Sequence, residues 1–172
     1  ILKIFSKLFM NLEIERRFLI KNNNWRKYII NQVLIVQGYL SSNNDEWIVR
    51  LRSENKQFKL TLKKHIIQST SLEFEYEINS TEGNQILSNI KNKIEKERFY
   101  LKINEQNWIV DIFQDRNAPL EIAEIELESE QETISIPDFI SKEITGIKIF
   151  SNYQLSINPF SSWNDKDINK FS

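Results

Sequence analysis

The chain has 172 residues with 23 Lys and Arg against 24 Asp and Glu, so its net charge of −1 gives no overall attraction to nucleic acid or to an anionic membrane. It has no cysteine and one histidine, His65, which excludes disulfides and thiolate metal sites and argues against a Ser-His-Asp triad. Carboxylates, amines and guanidinium groups remain for chemistry, and these suit phosphate and hard cations.

The beginning and the end of the chain differ from the rest. Residues 1–10 are apolar and basic and are too short to span a membrane, so we predict an N-terminal extension of a cytoplasmic protein. Glycine and proline number three each, which leaves no candidate linker, and we predict one domain over residues 11–160. Residues 161–172 are predicted to form a loose tail.

Eight segments alternate apolar and polar residues with a period of two, which predicts β-strands. In chain order they cover residues 11–20, 32–40, 46–53, 57–64, 71–78, 95–104, 108–113 and 118–128. Residues 84–93 have the apolar spacing of an amphipathic helix, and 25–30, 137–142 and 151–157 are predicted as short helices or turns. Eight successive strands with mostly short connections predict a mainly β, α+β fold: an antiparallel barrel or sandwich with a few flanking helices.

Charged residues fall on one face of each predicted strand, and on most strands they share one sign. The acidic strands carry Glu13 and Glu15, then Glu73, Glu75 and Glu77, then Glu124 and Glu126, and the basic strands carry Arg50 and Arg52, Lys59 and Lys63, and Lys96 and Arg98. A sandwich with these faces in water is the simpler interpretation, although exposed faces usually mix the two signs. If the faces line an interior, the carboxylates need cations and the bases need a polyanion. A metal–triphosphate complex meets both needs.

Several segments resemble a known family. The stretch EIERRFL at residues 13–19 is similar to the E-x-E-x-K signature that opens CYTH domains, the triphosphate tunnel metalloenzymes, and is nearest to the bacterial EIERKFL-type tripolyphosphatase subgroup. Further segments follow in the family's order: QGYL at 37–40, VRLR at 49–52, LTLK at 60–63, EFEYE at 73–77, IEKERF at 94–99, WIVDIF at 108–113 and AEIEL at 123–127. One departure is Arg17 at the signature lysine, since arginine keeps the charge but cannot lose its proton.

The resemblance covers residues 12–155 and implies a closed eight-stranded antiparallel barrel, the tunnel, with a triphosphate inside. It implies Mg²⁺- or Mn²⁺-dependent hydrolysis, most closely of inorganic tripolyphosphate to pyrophosphate and phosphate. The implied catalytic residues are Glu13, Glu15 and Arg17, and the implied substrate-binding residues are Arg50, Arg52, Lys59, Lys63, Lys96 and Arg98. The implied metal ligands are Glu75, Glu77, Asp111, Glu124 and Glu126, with Glu124 and Glu126 favoured for the first ion. Because Mg²⁺ usually takes few protein carboxylates, they cannot all be direct ligands.

Other functions stay open. A thiamine triphosphatase would need an aromatic wall, whereas we interpret the aromatic residues as core or rim: Trp25, Trp47, Trp108, Tyr39 and Tyr76. A class IV-type adenylate cyclase ranks last, and a non-catalytic polyphosphate- or nucleotide-binding module is supported by Arg17. The near-zero net charge argues against RNA 5′-triphosphatase activity. We therefore expect a small-molecule triphosphate as partner, no membrane or nucleic acid, a monomer or homodimer, and a surface position for His65.

Overall fold

The structure is a computed structural model that describes residues 11–41, 46–67 and 69–164. The predicted extension at residues 1–10 and most of the predicted tail lie outside the described residues. Among the described residues, no helix has the length and apolar character needed to cross a bilayer.

The strands confirm the eight predicted ones and add a ninth. They are β1 Leu12–Ile20, β2 Ile29–Tyr39, β3 Ile48–Glu54, β4 Gln57–Ile67, β5 Thr70–Ile78, β6 Lys93–Ile103, β7 Gln106–Phe113, β8 Glu121–Glu126 and β9 Ile140–Glu143. The helices are α1 Ser80–Asn89 and α2 Asn152–Ile157, and short 3₁₀ turns cover Asn23–Tyr28, Asp115–Asn117, Lys148–Phe150 and Phe160–Ser162. The prediction of a helix or turn at 137–142 was wrong where β9 begins, at Ile140. A strand of four residues is too short to show the alternation of apolar and polar residues by which strands were predicted.

Strand β1 closes the barrel by using both of its edges. The sheet order is β5-β4-β3-β2-β6-β7-β8-β1-β9, and β5 returns to pair with β1. The start of β1 pairs with β5, as in Leu12 opposite Leu72, whereas the end of β1 pairs with β9, as in Phe18 opposite Glu143. Strand β8 pairs along the other edge of β1. Closure gives an eight-stranded antiparallel barrel, and it removes the exposed edges that an open sheet would leave.

Two tight hairpins fix the register of the basic strands. Asn55 and Lys56, between β3 and β4, both have positive φ, of 49° and 64°, which is the geometry of a type I′ turn. Asn104 and Glu105 have the same turn geometry between β6 and β7, with φ of 46° and 64°. The first hairpin sets Arg52 opposite Lys59, so both side chains reach the same face.

The inner face of the barrel changes from charged to apolar along its length. Towards one end, the inward-facing positions of β6, β7 and β8 are apolar instead of charged. They are Ile94, Phe113 and Ile122, which pack with Phe150 and Leu155 of the C-terminal segment. This apolar cluster fills that end of the barrel interior. Burial of apolar side chains here stabilises the closed shape and leaves the charged part of the interior as the candidate site.

The outer face carries the second part of the core. Trp25 and Trp108 are completely buried there and pack against Phe99 and Phe18, respectively, which confirms them as core residues. The charged faces therefore point inward, and the sandwich interpretation was wrong.

The folded part of the chain extends further than predicted. Trp163, which we placed in the loose tail, is buried against Phe150 and Phe160. Its indole N–H donates to the Asn158 carbonyl at 3.1 Å. The predicted boundary at residue 160 is thus too early.

Candidate active site

A cavity of about 410 Å³ opens into the charged part of the barrel. Its walls include Glu15, Arg17, Arg50 and Lys63 from the predicted set. The C-terminal segment forms part of the same wall, with Asn152 and Tyr153 among its lining residues. The cavity therefore brings both signs of charge to one space that solvent can enter, which is the condition that a metal–polyanion ligand requires.

Lys63 lies at the centre of an acidic group that we call the Lys63 cluster: Glu13, Glu15, Lys63 and Glu73. Its Nζ forms ion pairs with Glu13, with Glu73 at 3.3 Å and with Glu15 at 3.8 Å. Burial by itself would lower the pKa of Lys63, but the three carboxylates outweigh it and raise the pKa. Burial raises the pKa of Glu13, and the charge of Glu73 adds to this against the opposing effect of Lys63. The cluster is thus three carboxylates around one cationic centre.

The arginines of β3 bind the acidic side chains of β5. Arg52 Nη2 donates to Glu75 at 2.9 Å, and Arg50 Nη2 lies 3.4 Å from Glu73 Oε1. Thr61 is completely buried between them: it accepts from Arg50 at 3.1 Å and donates to Glu75 at 3.2 Å. Lys59, which is partly exposed, also reaches Glu75, at 3.2 Å. This arrangement orders the guanidinium groups along the inner face of the barrel.

A second network, the Asp111 cluster, lies across the barrel and consists of Arg17, Lys96, Arg98, Asp111 and Glu124. Asp111 is completely buried, accepts from Arg98 through both oxygens at 2.8 Å, and also pairs with Lys96. Burial would raise the pKa of Asp111, but Arg98 and Lys96 hold it well below its usual range. Burial lowers the pKa of Lys96 to about 8, although Asp111 opposes this. A buried acid and its basic neighbours therefore neutralise one another inside the protein.

Arg17 connects the Asp111 cluster to the cavity and to the C-terminal segment. Its Nε donates to Glu124 at 3.0 Å, and its Nη1 donates to the Phe150 carbonyl at 3.1 Å. Its Nη2 is buried without a hydrogen-bond partner among the described residues, and so is Arg50 Nε. Buried guanidinium donors are normally satisfied, so two open ones beside a cavity indicate an anionic ligand.

Three residues of the site were absent from the predicted set. Glu73 belongs to the Lys63 cluster, and its strand alternation with Glu75 was the signal that could have found it. Tyr39 was interpreted as core or rim, but it lines the cavity, where Gln37 donates to its hydroxyl at 2.6 Å and burial raises its pKa to about 12. Asn152 accepts from Lys96 at 3.5 Å, a contact between distant segments that no local pattern indicates.

Two predicted metal ligands lie at the edge of the network. Glu77 and Glu126 are exposed, and they face Lys59 and Glu15 in the strand registers. Glu124, the other favoured ligand, is buried and engaged by Arg17 and Arg98. Glu13 and Glu15 of the Lys63 cluster lie between these extremes, since both are partly exposed. His65 is exposed, as predicted.

The donors in the Lys63 cluster fit a hard divalent cation. Within residues 11–41, 46–67 and 69–164, no group of three or more acidic or histidine side chains is arranged to hold a metal ion by itself. Mg²⁺ usually takes one or two protein carboxylates and completes its shell with water and phosphate oxygens. Glu13 and Glu15 therefore suit an ion that binds together with a phosphate chain.

Comparison with known proteins agrees with this architecture. The sequence model of the CYTH domain matches residues 11–154. The chain belongs to the CYTH family. The matched range includes all the strands, so the charged barrel is the CYTH domain itself.

The relatives of this CYTH chain include named enzymes. An inorganic triphosphatase of Acetivibrio thermocellus is 36% identical over 158 residues, which cover 91% of this chain and 100% of that protein. An inorganic triphosphatase of Nitrosomonas europaea is 28% identical over 156 residues, covering 84% and 97%. The crystal structure of the inorganic triphosphatase NE1496 superposes with a TM-score of 0.60 at 28% identity, covering 84% of this chain and 94% of that one.

Proposed function

We propose that the chain is a Mg²⁺- or Mn²⁺-dependent triphosphatase that hydrolyses inorganic tripolyphosphate to pyrophosphate and phosphate. The observation that carries the proposal is the pair of open guanidinium donors, on Arg17 and Arg50, beside a cavity that also holds acidic residues. The names of the relatives support the same substrate class.

The basic residues bind and orient the phosphate chain. Arg50, Lys63 and Arg17 line the cavity and come from three different strands, β3, β4 and β1. Arg17 is fixed by Glu124 and the Phe150 carbonyl, so its remaining nitrogen needs little reordering to meet an anion. Preorganised charge of this kind stabilises the negative charge that develops on the leaving pyrophosphate.

The acidic residues serve the attacking water. A carboxylate of the Lys63 cluster that is not bound to the cation would orient this water and accept its proton. The water oxygen bonds to the terminal phosphorus, the bridging P–O bond breaks, and the proton passes to the carboxylate while pyrophosphate leaves with the bond's electrons. A divalent cation bound by Glu13 and Glu15 would supply charge neutralisation of the phosphate oxygens.

Thiamine triphosphate is less well matched. The cavity offers Tyr39 and Tyr153, whose rings pack edge to face with centroids 5.4 Å apart, whereas Trp25 and Trp108 are buried in the outer core. An organic group would therefore have little free aromatic surface on which to stack.

The test measures phosphate release from tripolyphosphate by the purified protein with Mg²⁺ or Mn²⁺. Thiamine triphosphate and ATP are assayed in parallel as alternative substrates. We expect release from tripolyphosphate that requires the metal and that Arg50→Gln reduces at least about tenfold, because one charged hydrogen bond is worth about 1.5–3 kcal/mol. Arg116→Gln, at an exposed arginine, is the matched control. Tight binding of tripolyphosphate without release would instead support the non-catalytic module.

A further inference from the structure

The tunnel carries its own cation at the place where the carboxylates converge. Lys63 Nζ lies within 4 Å of Glu13, Glu15 and Glu73, which come from two strands on the same side of β4. No other lysine in the described part of the chain has ion pairs to three carboxylates. Its ammonium therefore already provides part of the positive charge that a divalent cation would bring.

We propose that Lys63 couples cation binding to triphosphate binding. In the empty tunnel its ammonium neutralises Glu13, Glu15 and Glu73 and competes with a divalent cation for them. When a phosphate chain enters, the ammonium moves to phosphate oxygens and frees the carboxylates for the cation. The proposal rests on the proposed function, since it names the order in which that site fills.

The surroundings of Lys63 allow this exchange. Lys63 lines the cavity, and a lysine side chain can turn its head group about a flexible four-carbon stem. Arg17 and Arg50 line the same cavity, so an anion can meet a guanidinium group before Lys63 moves. Because coupling between two ligands is reciprocal, a bound triphosphate must raise the affinity for the cation by the same factor that the cation raises the affinity for triphosphate.

The test measures Mn²⁺ binding without phosphate, from the electron paramagnetic resonance signal of free Mn²⁺. We expect Lys63→Gln and Lys63→Met to bind Mn²⁺ at least about tenfold more tightly than the wild type, since each removes a unit charge within 4 Å of the carboxylates. Lys64→Gln is the matched control: it removes the same charge one residue away, where Lys64 pairs with the exposed Glu46 at 2.6 Å. Its Mn²⁺ affinity should stay within about twofold of the wild type.

A second arm measures the coupling itself. Imidotriphosphate, which resists hydrolysis, should raise the affinity for Mn²⁺ less in the two Lys63 variants than in the wild type. If a Lys63 variant has low stability, its Mn²⁺ binding is measured from thermal melts followed by circular dichroism. Because tighter binding stabilises the folded state more, Mn²⁺ should raise the melting temperature of the variant more than that of the wild type. Unchanged or weaker Mn²⁺ binding by both variants, with no larger thermal shift, would overturn the proposal. Phosphate release by the wild type is assayed separately. The Mn²⁺-binding result can therefore be interpreted even if the wild type releases no phosphate.

Discussion

Replacing Asp111 by asparagine should destabilise the fold strongly. Asp111 is completely buried, and it accepts from Arg98 at 2.8 Å and from Lys96, which is 1% exposed. The substitution keeps the shape but removes the charge, and although Arg98 retains Glu124 at 3.1 Å, Lys96 loses its carboxylate. Removing one partner of a buried ion pair costs about 3–5 kcal/mol. For a chain of this size that corresponds to a fall of roughly 6–20 °C in melting temperature.

Circular dichroism melts and urea titrations measure the effect, with an unchanged urea slope indicating that only stability has changed. Asp115→Asn makes the same substitution at an exposed aspartate and should stay within about 0.5 kcal/mol of the wild type. The double variant Asp111→Asn/Lys96→Met should recover part of the loss, because it removes both charges. A melting temperature of Asp111→Asn within about 2 °C of the wild type would refute the reasoning.

The pH dependence of stability gives a second test of the Asp111→Asn substitution. Arg98 and Lys96 depress the pKa of Asp111 in the folded state against the effect of burial, so its contribution to stability is present above the unfolded pKa of about 4 and is lost as the pH falls below it. The stability difference between the wild type and Asp111→Asn should therefore stay constant from pH 7 to about pH 5 and narrow below about pH 4.

Three further predictions concern other parts of the molecule. Arg17→Gln should lower kcat/KM for tripolyphosphate roughly 10–150-fold, and Arg17→Lys should lower it less, because lysine keeps the charge but cannot contact Glu124, the Phe150 carbonyl and phosphate at once. Since the pKa of Lys96 is about 8, this residue loses its positive charge above that pH, and kcat/KM should fall there in the wild type but not in Lys96→Arg. Gly83→Ala should cost about 1–3 kcal/mol in a urea titration, because its methyl group would overlap the ring of Phe58.

Each of these has its own control. Equal loss of kcat/KM in Arg17→Gln and Arg17→Lys would show that the positive charge at residue 17 does not explain the loss. An alkaline fall that persists in Lys96→Arg would assign it to another group. Gln85→Ala, at an exposed position of α1, should change stability by less than about 0.5 kcal/mol, and a similar cost at both positions would contradict overlap with Phe58.

The sequence by itself determined which side chains share one face of each strand. Strict alternation on β1, β4 and β5 placed Glu13, Lys63 and Glu73 on the charged faces of their strands, because successive residues of a strand point to opposite sides of the sheet. The same signal predicted eight strands, and the separation of acidic strands from basic strands favoured a charged interior. Hairpins with short polar turns then fixed the pairing of β3 with β4 and of β6 with β7.

Only the tertiary structure decided how deep each charged residue lies and which partner it meets. Glu73 and Glu77 share one face of β5, yet Glu73 belongs to the Lys63 cluster and Glu77 is exposed. The stagger of strands around a closed barrel sets this depth, and alternation along one strand carries no information about stagger. The contacts of Arg17 with Phe150 and of Lys96 with Asn152 likewise join segments more than 50 residues apart, so they depend on where the C-terminal segment packs.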